Sequence, residues 1–427
     1  MLPPSPPPPE PAAVQPDGPS RRSVHGLDAV TFFVADVQSG FGPFIAVYLT
    51  THAWTQTNIG LLLTVTGLVS LAGQIPGGAL VDAVGSVRAL AAGAVAAISL
   101  SALIIGLSPA LLSVFAAQII HAGASCLLGP AIAAISLGLV GYAHAGERFG
   151  RNARFASIGN AVAAAGMGAA GYLVSNQALF FLTALLGLPA LLSLAYIRGR
   201  EIDPVRAHGG GAAHQPFRLA AALRLLRSRA LLVLAAGLAL FHLANAAMLP
   251  LMASTLTMRS ERWATLLVAA CIVVPQIVVA AFSPTVGRWA ERWGRRPLLL
   301  AGFLVLPLRG LAFALVTNPY LLVTTQVLDG IAGAVLGVLV PLIVADATRG
   351  SGRFNLAQGI VGSAMGVGAS ISTSLAGFIG DRYGDDWAFL GLAAIAAVGL
   401  LVILSLLPET RAQASPALPR RPLHQAG

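Results

Sequence analysis

Five side chains able to carry or move a charge stand inside long apolar runs: Asp36, His121, His242, Arg309 and Asp329. An ionisable group at the centre of a bilayer costs roughly 2.5–3.5 kcal/mol on insertion scales, so each needs a partner or a role. The chemistry open to such groups is recognition of a polar solute and the uptake and release of protons. Three of them have a polar companion one turn away: Gln118 with His121, Asn245 with His242, and Gln326 with Asp329. Residues three apart share a helix face. Phe33 and Asp36 repeat the spacing, and a shift of 209 residues lays them on His242 and Asn245. These faces either line one common cavity or make separate interhelical hydrogen bonds, worth about 0.6 kcal/mol each. Taken singly, His121 and His242 read as neutral, hydrogen-bonded spacers, and Gln74, Asn160 and Gln276 as packing residues.

Enzyme chemistry has no foothold. The sequence contains no Gly-x-Ser-x-Gly and no Gly-x-x-x-x-Gly-Lys, and its 26 basic residues are all arginine. Cys126 and Cys271 both lie in apolar runs, which indicates neither a disulfide nor a metal site. No enzymatic activity, metal or cofactor is expected.

The elements that hold these side chains follow from composition. Of 427 residues 56% are hydrophobic and 10% charged, with mean hydropathy +0.80; soluble domains carry about 25% charged residues. This predicts an all-α membrane protein, since an apolar helix of about 20 residues spans a bilayer. Twelve spans are read at 27–50, 57–81, 89–107, 110–140, 153–175, 177–197, 230–257, 262–284, 297–316, 319–345, 355–379 and 387–407. The fourth and tenth are long, with bends expected near Pro130 and Pro341. A Pro-rich tail (1–24), a bundle (25–198), a linker (199–229), a second bundle (230–408) and a tail (409–427) complete the layout. The linker segment 217–229 reads either as an amphipathic surface helix or as plain flexible chain.

With the N-terminus inside, 22 arginines fall on the inner side and 3 on the outer (Arg259, Arg262 and Arg382), with Arg309 in a span. That bias places both termini in the cytoplasm. It also accounts for the pI near 10.9 without a nucleic-acid partner.

The two halves repeat. Gly78-Ala-Leu-Val-Asp82-Ala-Val-Gly85-Ser-Val-Arg88 and Gly287-Arg-Trp-Ala-Glu291-Arg292-Trp-Gly294-Arg295-Arg296 align at an offset of 209. Gln118-x-x-His121 matches Gln326-x-x-Asp329 at 208, and Arg154-Phe155 matches Arg353-Phe354 at 199, which predicts a shorter loop between spans 10 and 11. Gly377-Phe-Ile-Gly-Asp381-Arg382-Tyr-Gly384 fits the same pattern but reads as helix-end charges on the outer side.

The duplicated turn resembles the signature loop of the major facilitator superfamily, found between helices 2 and 3 and again between 8 and 9. The resemblance covers about residues 25–408. The first copy departs at Ala83, Ser86 and Val87, where basic residues are usual. The resemblance implies two pseudo-symmetric six-helix bundles that rock about a midplane site, with helices 1, 4, 7 and 10 lining the cavity. It implies that Asp82 and Glu291 latch the inner ends of the bundles, with Arg88, Arg292, Arg295 and Arg296 as partners and the first latch the weaker. Proton-linked drug exporters of the family carry a Gly-rich motif in helix 5 ending in Gly-Pro; here Gly159 and Gly168 fit, but Gly171 is followed by Tyr172.

The function expected is secondary active transport of a small molecule, with proton-coupled export of an amphipathic or cationic compound preferred. Import of a small metabolite and a transport-inactive sensor or scaffold are the alternatives. The protein is expected to be a monomer in the bacterial inner membrane. Arg309 and Asp329 come out at similar depth on neighbouring antiparallel spans, so they should pair. Asp36, beside the bendable Gly40-Phe41-Gly42-Pro43 segment, then reads either as the carboxylate suited to proton coupling or as a hydrogen-bonded packing residue.

Overall fold

A computed structural model describes residues 18–39, 44–210, 220, 225, 227–259 and 264–411. Among them every regular element is a helix. The first half holds α1 (Arg21–Ser39), α2 (Ile45–Thr51), α3 (Gln56–Ala83), α4 (Val87–Leu107), α5 (Leu111–Val140), α6 (Ala145–Leu173), α7 (Ala178–Tyr196) and the short α8 (Pro204–Ala207). The second holds α9 (Arg229–Asn245), α10 (Met248–Arg259), α11 (Ala264–Trp293), α12 (Arg296–Leu315), α13 (Pro319–Ala347), α14 (Phe354–Tyr383) and α15 (Asp385–Leu406).

Apolar runs make the helices, and polar caps set where they begin. Thr55 and Ser86 accept from the N–H groups of Asn58 and Ala89, and Asn318 accepts from Tyr320 and Leu321, which satisfies donors the helix leaves unpaired. Among the described residues ten helices, with α9 and α10 counted as one, are long and apolar enough to cross a membrane. The other two spans are the one divided into α1 and α2, and α6, whose first turns carry Glu147, Arg148, Arg151 and Arg154.

Packing repeats from half to half. In the first, α1 packs on α6 and α7, α4 on α5 and α7, and α3 on α5; in the second, α9 packs on α14 and α15, α12 on α13 and α15, and α11 on α13. The halves meet where α3 lies along α14 and α11 along α6. One apolar core lies in the first half around Val34, Val95 and Leu128, and another around Leu238, Phe303 and Leu339 also takes in Leu137 and Phe149 of the first half.

Three expectations change. The fifth span begins at Ala145, not 153, because Arg148, Arg151 and Arg154 belong to its first turns rather than to a loop. The first helix starts at Arg21, inside the expected tail. The Arg154/Arg353 match is not structural: α6 and α14 start 209 residues apart, at Ala145 and Phe354. The loop between α13 and α14, residues 348–353, is the longer of the two, not the shorter. Residues 40–43 and most of 217–229 lie outside the described residues, so the hinge and the amphipathic helix expected there do too. Asp381 and Arg382 close the end of α14, as helix-end charges should.

Candidate transport cavity and its sealed end

At the arginine-rich end the halves touch backbone to backbone. A Cβ on Gly78 would stand 2.1 Å from the Asn355 carbonyl oxygen, and one on Gly287 2.3 Å from that of Gly146. Only glycine permits these approaches. The carboxylate one turn on from each glycine then caps a helix of the opposite half. Asp82 Oδ1 accepts from the Asn355 backbone N–H at 3.3 Å and its side-chain Nδ2 at 2.8 Å, and Oδ2 accepts from Leu356 N–H at 2.8 Å. Glu291 Oε1 accepts from the Glu147 N–H at 3.3 Å. Both acids therefore sit at the positive end of a helix dipole, on N–H groups without intrahelical partners.

The arginines are not the latch partners. Arg88 donates to the Ile197 carbonyl at 2.5 Å. Arg295 pairs with Asp346 at 2.9 Å, Arg296 donates to the Leu404 carbonyl at 2.6 Å, and the Arg292 carbonyl accepts from Arg411 at 2.8 Å. Arg88, Arg295 and Arg296 thus tie their own halves together, because they flank their own bundle while the acid faces the other. The strength order is reversed as well: Asp82 is 1% exposed with three donors, and Glu291 is half-buried with one. The turns also differ. Gly85 is exposed, whereas Gly294 has φ +93° and is packed against Glu409. Glu409 accepts from the backbone N–H groups of Arg295 and Arg296 at 2.9 and 3.0 Å. Burial pushes its carboxyl up, but the backbone donors of Arg295, Arg411 and Arg296 outweigh that and hold it below its ordinary value.

Away from this seal lies a cavity of about 530 Å³ lined by both halves. Its polar lining includes Gln74 and Asn152 from the first half and His242, Asn245, Gln276 and Asp329 from the second; Pro130 and Pro341 line it as well. Arg309 stands just behind it, 1% exposed. It donates to Asp329 Oδ1 at 2.7 Å, Asn245 Oδ1 at 2.6 Å and Gln326 Oε1 at 2.9 Å, with Phe313 beneath its guanidinium. The expected Arg309–Asp329 pair forms. Gln118 and His121 do not line the cavity: Gln118 is buried, and the His121 ring packs within the first half against the Gln38 carbonyl at 3.2 Å. The side chain of Asp36 lies outside the described residues. Gln74 and Gln276, read as packing residues, do face the cavity, though Gln276 also meets Ser157 of α6 at 2.5 Å.

The model of the Major Facilitator Superfamily matches residues 27–279 and 244–426. An uncharacterised MFS-type transporter of Mycobacterium tuberculosis is 38% identical over 395 residues, covering 91% of this chain and 94% of that one. The chain belongs to the major facilitator superfamily. It is thus an integral membrane protein of a family of transporters rather than enzymes. Multidrug resistance protein 2 of Bacillus subtilis is 30% identical over 141 residues, 33% of this chain and 34% of that protein. Among solved structures, the Fucose:proton symporter of E. coli superposes with TM-score 0.71 at 15% identity, over 90% of this chain and 99% of that one, a likeness of fold alone.

One buried cluster of this transporter is not apparent from sequence spacing. Asp28 of α1 pairs with Arg148 at 2.7 Å and Arg151 at 2.5 Å, both from α6. Arg148 also donates to Asn152 Oδ1 at 2.8 Å, and Asn152 Nδ2 donates to Ser136 Oγ at 2.7 Å. The signal is a lone carboxylate in the first turns of a span. Its partners are hidden because arginines between two apolar runs read as loop residues. Among the described residues no cluster of His, Cys, Asp or Glu could hold a metal.

Proposed function

We propose that this protein is a secondary active exporter of an amphipathic small molecule, driven by protons and working by alternating access. The observation that carries the reading is the reciprocal capping at one end. Asp82 and Glu291 each close a helix N-terminus of the opposite half, and a cavity shared by both halves lies beyond them. A seal made of contacts between two rigid bundles opens by rocking them apart. The arginine-rich end faces the cytoplasm, with both termini, in the bacterial inner membrane. Partial similarity to a multidrug resistance protein supports export over import. The proton site is Asp36 of α1: Asp28 and Asp329 are each committed to an ion pair with a buried arginine.

The test is flux into inverted membrane vesicles. A proton gradient should drive accumulation of exported compounds, identified by a growth screen against toxins, and a protonophore should collapse it. Asp36→Asn should lose concentrative uptake while keeping exchange. Accumulation that persists in the mutant and still yields to the protonophore removes Asp36 from the role. Accumulation indifferent to the protonophore in the wild type ends the proton-coupled reading.

A further inference from the structure

The cavity contains two asparagines, one from each half, and each is oriented by an arginine. Asn152 of α6 receives Arg148 on Oδ1 at 2.8 Å, and Asn245 of α9 receives Arg309 on Oδ1 at 2.6 Å. A guanidinium only donates, so it fixes which end of the amide it meets. In both residues the carbonyl oxygen is turned to the arginine, and the amide group left for the cavity is the NH2. Asn152 gives one of its two amide hydrogens to Ser136 and keeps the other.

Both arginines are buried, 4% and 1% exposed, and each is paired with a carboxylate: Arg148 with Asp28, and Arg309 with Asp329. The result is a carboxylate–arginine–asparagine chain in each half. The two chains are not copies of one another. At the 209-residue offset Arg148 falls on Ala357, Asn152 on Val361 and Arg309 on Leu100. The same arrangement thus stands on positions that the repeat does not relate.

We propose that this pair of oriented asparagines makes the cavity select substrates rich in hydrogen-bond acceptors, such as carbonyl-, ester- or carboxylate-bearing amphipathic molecules, over organic cations. The inference rests on the central cavity being the substrate site. A cation is favoured by a carboxylate without a partner of its own, and Asp36 is given to the proton. Among the described lining residues the one carboxylate is Asp329, and Arg309 already holds it at 2.7 Å. The Asp28 cluster offers no surplus either, with two arginines on one acid. An acceptor oxygen finds fixed N–H donors amid an otherwise largely apolar wall that includes Phe241, Val279 and Met365. Donors held in place before binding need no reordering, and a polar site left without its complement discriminates strongly.

The experiment uses the purified full-length protein and two planar three-ring probes, anthraquinone-2-sulfonate and 10-methylacridinium. The first carries two carbonyls and an anion; the second is a cation without acceptors. Equilibrium binding by fluorescence or calorimetry should favour the anthraquinone by at least about tenfold, the worth of one added hydrogen bond. Asn152→Asp and Asn245→Asp keep the shape and the arginine contact but replace the donor by an acceptor. Each should shift the ratio toward the acridinium by about tenfold or more. The two sites lie in different halves, so loss of folding in one leaves the other to decide, and the wild-type ratio decides by itself. Equal affinities, a preference for the cation, absence of anthraquinone binding, or an unchanged ratio in the folded variants overturns the proposal. None of these results depends on proton coupling, so the export reading stands or falls separately in the vesicles.

Discussion

The two latches start from one skeleton and end with different strengths. Asp82 reaches two backbone N–H groups and the Asn355 amide, whereas Glu291 reaches one N–H at 3.3 Å. The difference lies in the helix that receives the acid. Position 146 and position 355 are equivalent at the 209-residue offset, but the first is glycine and the second asparagine. Asn355 donates to Asp82 and also to the Ala207 carbonyl at 3.2 Å, which draws the linker into the first latch. Gly146 has no side chain to offer. The second half compensates within itself, through Arg295–Asp346 and the Glu409 cap on α12. A sequence motif therefore specifies where a latch sits, and its partner's first turn specifies how firmly it holds.

The largest effect should come from the glycines, where the two latches should not differ. Gly78→Ala and Gly287→Ala each drive a methyl into a backbone carbonyl, at 2.1 and 2.3 Å. Each should hold the arginine-rich end apart by about an ångström or more and reduce transport to background. Distances between spin labels on α6 and α11 and on α3 and α14 report it, and wild-type distances with wild-type flux would refute it.

The comparison itself is tested by neutralising the acids. Asp82→Asn removes charge-assisted bonds, worth about 1.5–3 kcal/mol for a buried acceptor, and should favour the open end accordingly. Glu291→Gln should cost under about 1 kcal/mol, the range of a partly exposed charge at a helix end. Equal shifts in the spin-label populations would erase the distinction between the latches.

Smaller still is the change that should make the first latch resemble the second. Asn355→Ala deletes one donor to Asp82 and the bond to Ala207, an expected loss of about 1 kcal/mol. Asp82→Asn added to Asn355→Ala should then cost less than Asp82→Asn alone. Additive costs in this double-mutant cycle would show that the amide does not strengthen the latch.

The smallest effect is set by pH. Glu409 titrates below its ordinary value in the folded protein. Its contribution is therefore present above the unfolded glutamate value, about 4.3, and is lost as pH falls through the lower folded value. Hydrogen exchange at the Arg295 and Arg296 amides should stay slow to about pH 4 and rise below it, with no such step in Glu409→Gln. The first half, where Ser86 caps α4 instead, should show no acid step at Ala89.

Much of the site is legible in the sequence, and the failures have physical causes. The depth of Arg309 and Asp329 follows from 1.5 Å of rise per residue, so residue spacing alone is enough to pair them. The latch acids can be named because the duplicated turn resembles the family's signature loop. Their partners cannot, since Asp82 and Glu291 bind chiefly backbone N–H groups, which every sequence has everywhere. Arginines stand out instead because charge is what a sequence displays. Gln118 and His121 share a face, as expected, yet that face turns into the first bundle; spacing gives a common side of a helix, not the direction it looks.

By itself the sequence determined the class of protein, the twofold repeat, the charged end and the cost of every charge in the spans, because these depend on composition and on the regular rise of a helix. Tertiary structure decided the meetings between groups far apart in the chain. Asp28 finds Arg148 across 120 residues, and Asp82 finds Leu356 across 274. Such meetings depend on the crossing of packed helices, where a rotation of one residue, about 100° in a helix of 3.6 residues per turn, moves a side chain from the cavity to the core.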